Sequence, residues 1–235
     1  MKIELLELKF KELIKMEDTD DGIFDFKELL LESDERNVLE FHFSLLSKIE
    51  DNYLYRDILY FFADRKNKNI VAEFLYSKYS HEKKDAVKSD ILRVLGNMKV
   101  PFARELSLQE LKSLHYEIRY SSIIVLGWTG VEKDLVSLNE RMLNDPEEQL
   151  RCYAATAMRQ IWYNNSNTRD KIANYIFNAA SKETNEKALT GMIITIQTLY
   201  RKKFGIKEST YGDISGNVLM AKEKMMTFLN KTILV

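Results

Sequence analysis

The sequence predicts an all-α protein built from helical hairpins that repeat along the chain. Only eight glycines and two prolines occur among 235 residues, so tight turns and glycine-rich loops are scarce and an all-β fold is disfavoured. Apolar side chains make up 45% of the chain and charged side chains 30%, a balance that supports a buried core rather than general disorder. An apolar pattern also recurs about every 32 residues, which is typical of a repeat architecture.

The first 33 residues are predicted to form an N-terminal cap of two helices. The segment from Lys2 to Met16 is amphipathic, and its apolar side is made by Ile3, Leu6, Phe10, Leu13 and Ile14. A short second helix is predicted from Asp25 to Ser33. Such a cap is needed because the outer apolar face of a terminal repeat would otherwise meet water.

Residues 17–28 have part of the spacing of a calcium-binding loop. Gly22 and Glu28 stand at its sixth and twelfth positions. However, Glu17 and Thr19 stand at the first and third positions, and the aspartates fall between the ligand positions. We therefore expect an acidic turn here rather than a cation site.

Residues 34–203 carry the repeats. Five helices are predicted to share an apolar stripe at positions i, i+4, i+5 and i+8, starting at Leu54, Val87, Ile118, Leu150 and Ala188. A further apolar position at i+11 fails in the first of these helices, where Arg65 stands. Each helix follows another amphipathic helix, so each pair forms a hairpin.

Residues 204–235 are predicted to form a polar, glycine-containing loop followed by a capping helix from Ile214 to Leu229. No low-complexity linker interrupts the chain. The sequence therefore predicts a single domain over residues 1–235.

The repeats resemble a known family. The run Leu150-Arg151-x-x-Ala154-Ala155-x-Ala157-Met158, preceded by Asp145-Pro146, resembles the second helix of a HEAT repeat, and the runs that begin at Ile118 and Val87 are close variants. The resemblance implies a right-handed α-solenoid of about five HEAT-like hairpins, with capping helices at both ends. It also implies a ladder of bonds between the turns of adjacent repeats, made by Asp145, Arg151, Arg119 and Lys88. The first and last repeats depart from this pattern, with Tyr55 and Leu189 at the basic position.

The sequence contains no recognisable catalytic motif. Its three histidines, His42, His81 and His115, are far apart, and no Cys/His cluster with metal-ligand spacing is present. We expect His42 to be buried and hydrogen-bonded and Cys152 to be an inert thiol. The sequence thus predicts a protein that is not an enzyme and uses no cofactor or metal.

A binding surface is predicted on the outward side of the second helices. The residues there that combine a large contact area with a polar group are Arg56, Tyr60, Arg93, Tyr120, Tyr153, Arg159, Tyr163 and Arg201. Tyrosine and arginine are enriched where proteins bind each other. The alternative interpretation is that these long side chains only cover neighbouring helices.

The resemblance to HEAT repeats implies a module that binds another protein. Small HEAT-like chains of bacteria resemble immunity proteins of contact-dependent inhibition and polymorphic toxin systems, which neutralise a cognate toxin domain. The expected partner is therefore a protein, such as a toxin domain encoded by an adjacent gene.

Two alternatives remain. The first is a HEAT-like DNA glycosylase or other nucleic-acid-binding protein, for which Trp128 and Trp162 supply aromatic rings; the net charge of −1 argues against it. The second is a scaffold or assembly subunit whose segment 214–235 docks on a sister chain. With a single cysteine and no long apolar segment, we expect a cytoplasmic protein without membrane contact.

Overall fold

A computed structural model describes residues 3–16, 20–209 and 213–233 of the chain, and these are mostly α-helical. The all-α prediction is confirmed. The helices are α1 Ile3–Leu13, α2 Asp20–Leu30, α3 Arg36–Leu45, α4 Asn52–Asp64, α5 Lys68–His81, α6 Asp85–Asn97, α7 Pro101–Glu110, α8 Tyr116–Thr129, α9 Leu135–Asn144, α10 Glu148–Asn164, α11 Arg169–Lys182, α12 Glu186–Tyr200 and α13 Val218–Ile233. Short 3-10 turns at Glu132–Asp134 and Ser166–Thr168 precede α9 and α11.

The chain forms two compact units, residues 1–100 and 101–235. In the first unit, α1 packs on α2 and α3, and two hairpins follow it, α3 with α4 and α5 with α6. The first helices of these hairpins, α3 and α5, contact each other, and so do the second helices, α4 and α6. The hairpins therefore lie side by side. The prediction of one domain over the whole chain stays a prediction.

The second unit repeats this arrangement over more helices. The second helices α8, α10 and α12 contact each other in sequence order, and α9 contacts α11. The helix α13 packs on α11 and α12 at the C-terminal end of this unit. One continuous apolar core runs through it, from Leu111 to Leu229.

The predicted apolar stripes contribute to both cores, together with residues from the first helices of the hairpins and from the flanking helices. In α10 and α12 every stripe residue is buried. In α6 and α8 the ends of the stripe are only half-buried, at Val87, Met98 and Thr129. Arg65, the apparent misfit, is fully buried at the apolar position that it occupies.

The flanking elements begin and end at other residues than predicted. Helix α1 ends at Leu13, and α2 begins at Asp20, so residues 20–28 are helical rather than part of a turn, while residues 17–19 lie outside the described part of the chain. The C-terminal helix begins at Val218 because the side chain of Asn217 accepts a hydrogen bond from the N–H of Met220, at 2.9 Å. Residues before it form a small antiparallel hairpin.

This hairpin pairs β1, Lys207–Glu208, with β2, Ile214–Ser215. At Gly216, which has φ of +126°, the chain passes close to the backbone of Gly205. A side chain there would collide with the carbonyl oxygen of Gly205, so the approach requires glycine. Among the described helices, none is long and apolar enough to cross a lipid bilayer.

Candidate functional site

A buried ion pair fixes α8 against the turn before α10. The side chain of Arg119 donates to both carboxylate oxygens of Asp145, from Nε at 2.9 Å and from Nη2 at 3.1 Å. Its Nη1 donates to the carbonyl oxygens of Ser113 and Leu114, both at 3.1 Å. Both charged side chains are almost completely buried. Such a two-point contact fixes distance and orientation together, so it sets how α8 lies beside the next hairpin.

The same connection recurs one hairpin later, between Arg151 and Glu183. Nε of Arg151 donates to Glu183 at 2.7 Å, and Nη1 donates to the carbonyl oxygen of Asp145 at 2.8 Å. The carboxylate of Glu183 also accepts from the backbone N–H of Thr184 and Asn185. Burial opposes the charged form of Glu183, but these hydrogen bonds outweigh it and lower the pKa.

Of the four residues that the HEAT resemblance placed in a ladder, three form these contacts: Asp145, Arg119 and Arg151. The fourth, Lys88, instead lies over the ring of Tyr79, with Nζ at 4.7 Å from the ring centre. Glu183 was missed, although it precedes Ala188 by the same number of residues as Asp145 precedes Leu150. This equal spacing could have predicted that Glu183 takes the place of Asp145 in the next repeat.

Three tyrosines lie together on neighbouring helices of the second unit. On α8, the rings of Tyr116 and Tyr120 are parallel, with centres 6.3 Å apart. The ring of Tyr153 on α10 is tilted against Tyr120, at 5.3 Å. We call this group the tyrosine cluster. Two of its members were predicted as binding residues; Tyr116 was not, because it precedes the apolar stripe from which the outward positions were counted.

The tyrosine cluster is partly exposed. Tyr116 is 37% exposed, and Tyr120 and Tyr153 are half-buried. Burial is the main cause that raises the pKa of Tyr116 and of Tyr153 above the usual value for tyrosine. The cluster presents apolar ring surface together with hydroxyl groups, a combination well suited to contact with another protein.

Arg159 also lies on α10, and its side chain contacts α12 and β1. Its Nη1 lies 3.5 Å from the hydroxyl of Thr198 on α12 and 3.4 Å from the carboxylate of Glu208 in β1. The side chain of Gln197 is also engaged, since it binds the backbone of Phe204 and Ile206. The segment from 204 to 208 therefore covers part of the outward face of α12. The accessible surface lies on α8 and α10.

The other predicted binding residues lie apart from this cluster. Tyr163, near the end of α10, is 65% exposed, and its ring centre is 5.2 Å from that of Trp162. Arg201 is exposed at the C-terminal cap of α12, in a left-handed conformation with φ of 50°. The remaining three belong to the first unit: Arg56 is exposed on α4, while Tyr60 on α4 and Arg93 on α6 are half-buried.

Cys152 and the three histidines lie on different elements of the chain: Cys152 on α10, His42 on α3, His81 at the end of α5 and His115 just before α8. Cys152 packs against Gly191 of α12, and burial raises the pKa of its thiol, which disfavours the reactive thiolate. His42 is buried, as predicted, whereas His81 and His115 are exposed. Within the described ranges, no three His, Cys, Asp or Glu side chains converge closely enough to hold a metal ion.

No protein-family model matches the sequence, and no curated protein matches it. Function is therefore inferred from the geometry of the chain itself.

Proposed function

We propose that this protein is a non-enzymatic module that binds another protein, and that its hairpins form a right-handed α-solenoid of about five HEAT-like repeats. Two features of the second unit support the repeat proposal. Its second helices contact each other in sequence order, and equivalent arginines, Arg119 and Arg151, bind the turn that follows. A repeated bond in the same register is typical of repeats that stack on their neighbours.

The tyrosine cluster is the proposed centre of the binding surface. Its rings contact each other across α8 and α10, so they are positioned before any partner arrives. A side chain that is already ordered loses less conformational entropy on binding, which leaves more of the contact energy as affinity. The single observation that carries this proposal is the contact between Tyr120 and Tyr153.

The partner that fits this surface best is a folded protein domain. The surface consists of side chains on the neighbouring helices α8 and α10 and is not an enclosed cavity. This geometry suits a broad contact with another protein. In its most concrete form the proposal is a bacterial immunity protein, which binds a toxin domain and blocks its active site or its substrate-binding surface. The toxin would be encoded by an adjacent gene.

This proposal predicts a 1:1 complex with the product of the adjacent gene. Replacing Tyr153→Ala or Arg159→Ala is expected to weaken that complex by about tenfold or more, because the first removes a ring of the tyrosine cluster and the second removes an arginine of the same helix, α10. Tyr153→Phe keeps the ring contact and should bind within about threefold of the unchanged protein. Affinity is measured by titration calorimetry, well below the melting temperature of each variant.

Two exposed residues of the first unit provide matched controls, Tyr53→Ala and Arg36→Ala. Both should bind as the unchanged protein does. Full affinity in both the Tyr153→Ala and Arg159→Ala variants would show that the partner does not bind to this face of α10. Steeply salt-dependent binding to duplex DNA, with no protein complex, would replace the proposal by a nucleic-acid function.

A further inference from the structure

A groove lies between α13 and the segment that follows α12. Its volume is about 500 Å³. The residues that line it are Lys202, Lys203, Phe204, Glu223, Lys224, Thr227, Phe228 and Lys231. We call it the lysine groove. It lies on other elements than the tyrosine cluster and is not needed for the function proposed above.

The floor of the lysine groove is apolar and tightly packed. The ring of Phe228 lies 5.6 Å from that of Phe204 and 5.2 Å from that of Tyr200, measured between ring centres. Phe204 is only 3% exposed, so the floor is anchored in the core of the second unit. A floor made of rings that contact each other keeps its shape when a ligand arrives or leaves.

The rim of the lysine groove is strongly basic. Four lysines line it against a single glutamate, Glu223. Lys203 and Lys224 are exposed, and Nζ of Lys202 lies 4.5 Å from the ring centre of Phe228. The surrounding segment 201–231 carries seven basic and three acidic side chains, although the whole chain has a net charge of −1. Positive charge is therefore concentrated at this end of the chain.

We propose that the lysine groove is a docking site for an acidic peptide segment that carries a large apolar side chain. The carboxylates of such a segment would relieve the mutual repulsion of the four lysines, and its apolar side chain would pack against the accessible part of Phe228, which is half-buried. Charge complementarity thus selects the occupant, and the apolar floor selects an amphipathic one over a simple anion.

The geometry disfavours a nucleic acid as the occupant. Single-stranded nucleic acids bind through bases that stack on accessible aromatic faces. Here Phe204 is buried, and Lys202 lies over the ring of Phe228. The phosphates would find positive charge, but a base stacks on a whole ring face, and Lys202 covers that of Phe228. An apolar side chain of a peptide needs only contact with the part of Phe228 that stays accessible, since this residue is half-buried.

The test uses a short fluorescent peptide in which glutamates and aspartates flank a central Leu-Phe pair. Its binding to the full chain is followed by fluorescence anisotropy. The variant Lys203→Glu/Lys224→Glu is expected to bind at least about tenfold more weakly, because it reverses two charges on the rim. Its matched control is Lys133→Glu/Lys182→Glu, which changes the net charge equally at exposed positions elsewhere and should bind within about twofold of the unchanged protein.

Three further probes decide the chemistry. A peptide with serines in place of Leu-Phe, and one with amides in place of the acids, should each lose at least about tenfold in affinity. A single-stranded oligothymidylate should bind more weakly than the original peptide at equal salt. The proposal is overturned if the oligonucleotide binds more tightly, if the serine peptide binds as well as the original, or if both charge-reversal variants lose affinity equally.

The variant Tyr153→Ala separates this site from the tyrosine cluster. It should bind the acidic peptide as the unchanged protein does, whatever happens to its complex with a protein partner. Loss of peptide binding in this variant would place the peptide on the tyrosine cluster instead and would contradict the proposal.

Discussion

A buried polar network in the first unit shows how much a single residue can depend on distant ones. The Nε2 atom of His42 donates to the carbonyl oxygen of Ile58 at 2.7 Å, and its Nδ1 accepts from the guanidinium of Arg65. Arg65 is held in turn by the carbonyl oxygen of Ser33 and by Asp34. With one nitrogen donating and the other accepting, His42 is the neutral tautomer.

This geometry predicts that the protein loses stability in mild acid. Burial first, and then the charge of Arg65, hold the pKa of His42 well below its usual value of 6.5. Below that value the unfolded chain takes up a proton that the folded chain refuses, so the free energy of unfolding falls as the pH falls. For this single proton, the free energy of unfolding changes by at most about 1.4 kcal/mol per pH unit.

Urea unfolding between about pH 5 and pH 7.5 measures this dependence. The variant His42→Gln should lose the slope that His42 contributes, whereas His81→Gln, at an exposed position, should keep it. An unchanged slope in His42→Gln would mean that His42 is not the group responsible.

Sequence periodicity predicted the burial of His42 but counted Arg65 as a failed apolar position. Periodicity indicates which side of a helix a residue occupies, but it does not reveal hydrogen-bond or ion-pair partners that are distant in the sequence. Arg65 is buried because Asp34, His42 and the carbonyl oxygen of Ser33 lie around it. Without those partners its charge would oppose burial.

At the scale of helices, close packing between α10 and α12 depends on one glycine. A Cβ atom on Gly191 would lie 2.6 Å from the carbonyl oxygen of Cys152 and 2.7 Å from its sulfur. The hydroxyl of Thr195 donates to the carbonyl oxygen of Ala155 at 3.0 Å, again across these two helices. The helices therefore meet with almost no space between them.

We expect Gly191→Ala to destabilise the protein. Alanine favours a helix over glycine by about 1 kcal/mol, but the clash with the backbone of Cys152 forces the helices apart at a cost that overpacking typically sets at about 1–3 kcal/mol. Because the clash is with backbone atoms, which cannot simply swing away, the cost should lie in the upper part of that range. The predicted net loss in the free energy of unfolding is then about 1–2 kcal/mol, measured by urea denaturation. The adjacent Thr190→Ala should change it by less than about 0.5 kcal/mol. A more stable Gly191→Ala variant would contradict the close approach.

The helices themselves were readily predicted from the sequence, and the connections were not. Long apolar stripes such as the one from Leu150 to Ile161 contain several turns of consistent signal. The hairpin of β1 and β2 has two residues in each strand, too few for any alternation to be visible. The start of α2 at Asp20 was missed because its first turn carries acidic rather than apolar residues.

At the scale of the whole molecule, both proposed binding surfaces consist of side chains that separate elements bring together. The tyrosine cluster joins α8 to α10, and two of its three members were predicted because Tyr120 and Tyr153 lie on outward positions, two and three residues after the starts of their stripes. The lysine groove was not predicted, since Lys203 and Lys224 meet only after α13 has packed back onto α11 and α12. A periodic pattern cannot register an encounter between a loop and a helix outside the repeats.

Photo-cross-linking is the most decisive test of the proposed contact between the tyrosine cluster and a protein partner. p-Benzoylphenylalanine is placed at position 153, in place of Tyr153, or at position 53, in place of the exposed Tyr53 on α4. Each protein is irradiated with the product of the adjacent gene. We expect a covalent adduct with the partner from position 153 and none from position 53; an adduct from position 53 with none from position 153 would place the partner away from the tyrosine cluster.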